Sequence, residues 1–323
     1  IERMQTWAEE CGMEFPPRDY WIKVPEPHVL HYGTSRADLF TPSKMDGAPV
    51  DDDIVYTHLG LLIAEDYGPN FTTNDIGAGW LKYLPRAAIA AKIALENLKK
   101  GVPARRAASG CNFRVEYIGG YIRSDPWGYI APGWPEKAAS MAYQDAYLSH
   151  RRNGIYGEMF FSAAIAAAFA VDDPIEAIRI GLTEIPKDSD MARGVRWAVR
   201  VGKDITNYFE AREAVERHFK GMRNVHTINN ACLVIWGLMM AGGDYTKLIS
   251  EVVAMGMDND CNAATAGSIF GAIYGKKAIP KHWYKNFNNM SHTYLTGKKK
   301  FSITGLAKRF GKQAARTYRE SVV

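Results

Sequence analysis

Apolar residues recur at helical spacing through most of this chain, and glycine or proline marks each place where the spacing breaks. From 54 to 67, apolar positions 55, 59, 62 and 63 share one face and Gly68 ends the run, which predicts a helix. Thr72-Thr-Asn-Asp75 opens another that carries Trp80 and stops at Pro85, and 87–100 reads as a third, ended by Gly101. Further helices are expected at 1–13, 136–148, 159–171, from Asp173-Pro174 to a point before Pro186, and at 189–207, 210–220 and 228–241, after which 245–256 leads on to the second acidic cluster. The segment 16–50, with Pro16, Pro17, Pro25, Pro27, Pro42 and Pro49, reads as an extended or looped covering, because proline fixes φ and removes a donor. The stretch 109–134 reads as a structured loop around one short helix.

No alternating strand or hairpin pattern stands out, so about ten helices predict an all-α fold, a compact multi-helix single domain. Its bounds are set at 1–275, with an N-terminal segment that reads as incomplete because the chain opens at Ile1. Residues 276–323, with Lys298-Lys-Lys300 and a basic amphipathic stretch over 305–319, are expected as a helical extension packed on the same domain.

Composition narrows the class. A chain of 323 residues with 47% hydrophobic content can bury a large core. The net charge of +5 is concentrated near the C-terminus, which gives no reason to expect a nucleic-acid partner. No apolar run approaches the ~18 residues of a membrane span, and no signal peptide is evident, so no membrane partner and a cytoplasmic location are expected. Cys11, Cys111, Cys232 and Cys261 form no C-x-x-C pair, which fits a reducing compartment and no structural zinc.

Two acidic clusters change the picture. Asp51-Asp-Asp53 opens the helix at 54, and Asp258 and Asp260 open the run that ends at Gly275. One aspartate at a helix start is ordinary capping, but clustered carboxylates repel unless a cation or several donors neutralise them. All are hard oxygen donors, suited to Mg²⁺ or Mn²⁺. Behind the second cluster, Ala263, Gly267, Gly271 and Gly275 lie four apart, which predicts close approach of another backbone.

The stretch Gly256-Met-Asp-Asn-Asp-Cys-Asn-Ala-Ala-Thr-Ala-Gly267 resembles the G-x-D-T-D-x-N-A-A-x-x-G motif of the ADP-ribosylglycohydrolase family, and Asp51-Asp-Asp53 stands where that family has T-D-D. The segment from Gly128 through Pro135-Glu-Lys-Ala-Ala139 and Ser149-His150 to Gly157 is similar to the family's central helices. The resemblance covers about 50–275 and leaves the last fifty residues unmatched. It implies an all-α fold with one or two Mg²⁺ ions, Mn²⁺ being an alternative, and a metal-dependent hydrolase that cleaves a glycosidic bond of ADP-ribose attached to protein or a small molecule. Asp52, Asp53, Asp258 and Asp260 match its metal ligands. Asp51 occupies the threonine position of the first motif and is still an oxygen donor, whereas Cys261, directly after Asp260, is a soft thiol.

Cleavage through an oxocarbenium-like transition state calls for negative charge near the anomeric carbon and an activated water, which assigns Asp52, Asp53 and Asp258 as catalytic candidates. Asn262 is a candidate for a ribose hydroxyl, and His150, Asn153 and Tyr156 for the diphosphate or leaving group. Gly119 and Gly128 are candidates for backbone contact to phosphate. Two alternatives stay open: a glycohydrolase acting on a nucleoside or other small N-riboside, and a binding or structural homologue without catalysis.

Overall fold

Several of the helices start at side-chain caps and several stop at glycines, as the periodic pattern anticipates. The structure, a computed structural model, describes residues 1–24, 31–32, 35–110 and 112–321. Pro25, Pro27 and Cys111 therefore lie outside the described residues. Helix α1 (Glu2–Cys11) ends at Gly12 in the left-handed conformation. Two short strands follow, β1 (His31–Tyr32) and β2 (Ser35–Arg36), and loops lead to α2 (Asp52–Tyr67). Asp51 caps α2, its Oδ1 accepting the Asp53 N–H at 3.0 Å. A capping box of Thr72 and Asp75 opens α3 (Thr73–Tyr83), and α4 (Ile89–Lys99) comes next.

The middle of the chain supplies α5 (Asp125–Tyr129), α6 (Pro135–Ala146), α7 (Asn153–Ala168), α8 (Pro174–Thr183), α9 (Asp190–Val201) and α10 (Tyr208–His218). Then come α11 (Thr227–Ala241), α12 (Tyr245–Ala254) and α13 (Asn259–Tyr274). Helix α7 is the hub and packs on α5, α6, α8, α11 and α13. It is apolar nearly all round, the mark of a helix surrounded by protein. Its small residues let neighbours close in: a Cβ on Gly157 would stand 2.4 Å from Thr227 Cγ2, and one on Gly154 would stand 2.2 Å from the Val115 carbonyl oxygen.

Polar chemistry is buried in this hub as well. Arg123 is 1% exposed and pairs with Asp145 and Glu158, both at 3.1 Å, while its Nη1 donates to Ser149 Oγ at 2.8 Å. Trp127 Nε1 donates to Glu158 Oε1 at 3.2 Å. Burial, then the Asp145 charge, pushes the Glu158 carboxyl well up, while the Arg123 charge and the Trp127 hydrogen bond oppose that shift.

After α13, the chain forms short 3-10 turns and an antiparallel pair, β3 (Met290–His292) and β4 (Lys300–Ser302), before α14 (Ile303–Ser321). Helix α14 lies across α2 and α5: Arg309 pairs with Glu65 at 2.6 Å, and Phe310 meets Tyr129 edge-on.

The architecture is all-α, a single domain of fourteen α-helices among the described residues. Three expectations need correction. The two small β-pairs were invisible to pattern because each strand has only two or three residues. Helix α7 begins at Asn153, not 159, because Gly154 reads as a breaker in sequence yet is the residue that admits the Val115 carbonyl. Among the described residues the small-residue stripe of α13 meets no backbone: Gly267 faces the Tyr245 and Ile249 side chains, a Cβ on Gly271 would have nothing within 4 Å, and Gly275 is the cap at φ 67°.

Candidate metal centre

The N-termini of α2 and α13 carry the two acidic clusters to one place. Asp51 caps α2, with Asp52 and Asp53 in its first turn, while Asp258 occupies the cap position of α13 and Asp260 its first turn. Gly256 and Met257 both take positive φ (71° and 61°), and this sharp turn aims the Asp258–Asp260 segment at α2. Ligand atoms of Asp53, Asp260 and Cys261 lie within 4.8 Å of one another, and so do those of Asp51, Asp52 and Asp53. Asp53 belongs to both groups. Asp258 falls outside them and shares side-chain hydrogen bonds with Asp260 and Cys261.

This much negative charge in one partly buried place moves the carboxyls upward. Burial is the first cause for each, and neighbouring aspartates add to it: Asp52 is pushed up to about 6, Asp258 to about 7, and Asp53 well above the usual carboxylate range. Asp53 is 7% exposed, and its Oδ1 is buried without a hydrogen-bond partner among the described residues. A buried acceptor left without a donor is costly, and a divalent cation would satisfy it. The residues present thus fit a cation: five carboxylates, an orphaned buried oxygen and two triads within reach.

Supporting residues fix the second cluster. Asn230, near the start of α11, accepts the Asp258 backbone N–H at 3.2 Å and the Asn262 Nδ2–H at 2.9 Å. Asn262 Oδ1 in turn accepts the Tyr121 hydroxyl. Tyr121 belongs to the 3-10 turn Tyr121–Arg123, which the buried Arg123 anchors. On the outer side, Tyr294 is close enough for the Asp52 and Asp51 charges to help raise its hydroxyl, and Arg86 stacks over its ring at 4.6 Å.

The profile of the ADP-ribosylglycohydrolase family matches residues 18–319. The chain belongs to the ADP-ribosylglycohydrolase family. The match runs well beyond the motif-bearing region, so the segment after Gly275, unmatched by motif, is part of the family fold. A solved structure described as an ADP-ribosylglycohydrolase-related protein complex aligns over 94% of this chain and 91% of its own, with a TM-score of 0.60 and 20% identity, a likeness of fold. Comparison with curated proteins finds no match. As a member of this family, the chain is a hydrolase of the ADP-ribosylglycohydrolase type, a family that acts on ADP-ribosylated substrates.

In this chain, the residues expected to touch substrate do not gather in one place. Gly128 is buried in α5, where a Cβ would stand 2.6 Å from Ile165 Cγ2, so it serves helix packing and is not open to phosphate. His150 is also fully buried: Nδ1 meets Ser149 Oγ at 2.8 Å, and burial lowers its pKa well below the ordinary value. Gly119 lies against that imidazole, 3.5 Å from His150 Nε2 to a Cβ position. Asn262 spends both ends of its amide on Tyr121 and Asn230, which makes it an organiser of the cluster rather than a group free for ribose. Asn153 accepts the Met191 N–H and donates to Glu116, with Tyr156 half-buried one turn on.

Asn153 also lines a cleft of about 500 Å³ together with Glu116, Arg152, Arg193, Phe219 and His226. None of the six candidate ligands reaches that cleft. The acidic side chains converge away from this cleft. Asn230 and Tyr294 were missed in the sequence; the Asn229-Asn230 pair inside an otherwise apolar helix was the available signal for the first.

Proposed function

We propose that the chain hydrolyses the bond at the anomeric carbon of ADP-ribose, an N-ribosyl linkage to protein or a small molecule, with Mg²⁺ or Mn²⁺ held by Asp51, Asp52, Asp53, Asp258, Asp260 and Cys261. The observation that carries this reading is the convergence of two aspartate clusters, from helix starts some two hundred residues apart, in a chain of this family. A bound divalent ion there supplies positive charge that orients the ribose hydroxyls and favours deprotonation of the attacking water.

The chain's own residues do the rest. Water oxygen attacks the anomeric carbon, the glycosidic bond breaks, and its electron pair leaves with the departing nitrogen. Asp258, pushed up to about 7, accepts the water proton near neutral pH, and Asp52 is the second candidate base. Carboxylate charge beside the anomeric carbon stabilises the oxocarbenium character of the transition state. Tyr121 and Asn230 hold the second cluster in register through Asn262 and the Asp258 backbone. The cysteines Cys11, Cys232 and Cys261 are free, in keeping with our placing the protein in the cytoplasm.

The test is release of free ADP-ribose from ADP-ribosyl-arginine and from ADP-ribosylated protein, run beside free nucleosides, with Mg²⁺ or with chelator. Metal-dependent release that disappears in Asp258→Ala supports the reading. Cleavage of nucleosides alone would transfer the assignment to a nucleoside hydrolase, and no cleavage of any of them would leave a binding protein.

A further inference from the structure

We propose that the Asp53–Asp260–Cys261 corner is a thiolate-binding metal position that takes a zinc-class ion, whereas the Asp51–Asp52–Asp53 corner takes a hard ion such as Mg²⁺. The inference rests on the metal reading of the cluster given above and assigns different ions to its two sides.

The two triads share Asp53 but differ in chemistry. One offers carboxylate oxygens alone, and the other offers two carboxylates and a sulfur, all within 4.8 Å. A tetrahedral zinc-class ion bound by one thiolate and two carboxylates spaces its donors about 3.4–3.6 Å apart, from metal–sulfur and metal–oxygen bonds of about 2.3 and 2.1 Å. Closing the triad onto such an ion thus asks for side-chain movement on the order of 1 Å.

The sulfur is placed for the task. Cys261 is 6% exposed, in the first turn of α13 directly after Asp260, and it lies beside the side chain of Asp258. Asp53 Oδ1, buried and unpartnered among the described residues, is an independent sign that the cluster, of which this corner is one side, lacks a ligand for its donors. Thiolate is a soft donor that binds Co²⁺, Zn²⁺ and Cd²⁺ far better than Mg²⁺. On binding, a metal–sulfur bond forms, the S–H bond breaks, and the proton passes to solvent with no change of oxidation state.

Co²⁺ titrated into the metal-free protein is the test, read by near-ultraviolet thiolate-to-cobalt charge-transfer absorption. Mn²⁺ binding, followed by electron paramagnetic resonance, is the control for the hard position. The expected result is a saturable band in the wild type and in Cys11→Ser, absent in Cys261→Ser and Cys261→Thr, with Mn²⁺ affinity kept within about threefold. Zn²⁺ should displace the band at a concentration at least about tenfold below the Mg²⁺ needed. Because the wild-type band needs no variant, misfolding of a variant does not spare the proposal. Cobalt bound without the band, or a band that survives in Cys261→Ser, overturns thiolate ligation while Mn²⁺ binding keeps the metal centre. Failure of both ions to bind overturns the metal centre and this inference together.

Discussion

Asn230 holds Asp258 in place: its Oδ1 accepts the Asp258 backbone N–H at 3.2 Å, so the second aspartate pair is positioned from α11 and not by its own helix alone. Asn230→Ala leaves this N–H and the Asn262 amide without their acceptor, at a cost of ~1–3 kcal/mol in stability. Outer contacts of this kind are worth about 10–100-fold in metal affinity. Calorimetric titration of Mn²⁺ should show that loss, and unchanged affinity would remove Asn230 from the site's support.

The buried Arg123 is expected to be indispensable for folding. Arg123→Met strands Asp145 and Glu158 inside the hub, and breaking a buried pair in this way costs ~3–5 kcal/mol. Arg123→Lys should not restore stability, because an ammonium cannot span Asp145, Glu158 and Ser149 as the guanidinium does. Urea denaturation of both variants decides the matter, and near-wild-type midpoints would refute it.

Stability of the metal-free protein should fall as pH rises. Asp52 and Asp258 sit at about 6 and about 7 in the folded chain, above the ~4 of an unfolded aspartate. The folded state therefore holds protons that the unfolded state releases. That stabilisation is complete below pH ~4 and is lost as pH rises through 6 to 7. Melting scans should show a higher Tm at pH 5 than at pH 8 without metal, a slope that is flatter in Asp258→Asn, and a Mg²⁺-induced rise that is larger at pH 8. A metal shift greatest at pH 5 would contradict this account.

Two glycines to alanine should move stability in opposite directions. Gly157→Ala drives a methyl to 2.4 Å from Thr227 Cγ2 between α7 and α11, and overpacking of that kind costs ~1–3 kcal/mol. Gly271→Ala meets nothing within 4 Å and should stabilise α13 by up to ~1 kcal/mol. Thermal denaturation of the pair would expose an error in either contact.

Local signals explain what the sequence could show. Asp51 and the Thr72–Asp75 box mark helix starts because caps act over three residues, and the aspartates stood out because clustered like charge is rarely left without a purpose. Contacts between distant segments left no such mark. Nothing in the order of residues says that Tyr121 reaches Asn262, or that Tyr294 comes to lie beside Asp52. Spacing also misled: α13's small residues share a face, but only packing reveals that the face meets side chains and open space instead of a backbone. His150 and Gly128 carried the right residue types for phosphate, yet both are spent inside the core.

The placement of Tyr294 bears on how this protein can be cut and tagged. A fragment ending at Gly275 would retain every candidate ligand and still lack Tyr294, whose hydroxyl responds to the Asp52 and Asp51 charges, along with the α14 brace on Glu65. Fusion partners, proteolytic trimming or domain grafts that remove Tyr294 would take away a hydroxyl on which the Asp52 and Asp51 charges act, and the ring over which Arg86 stacks.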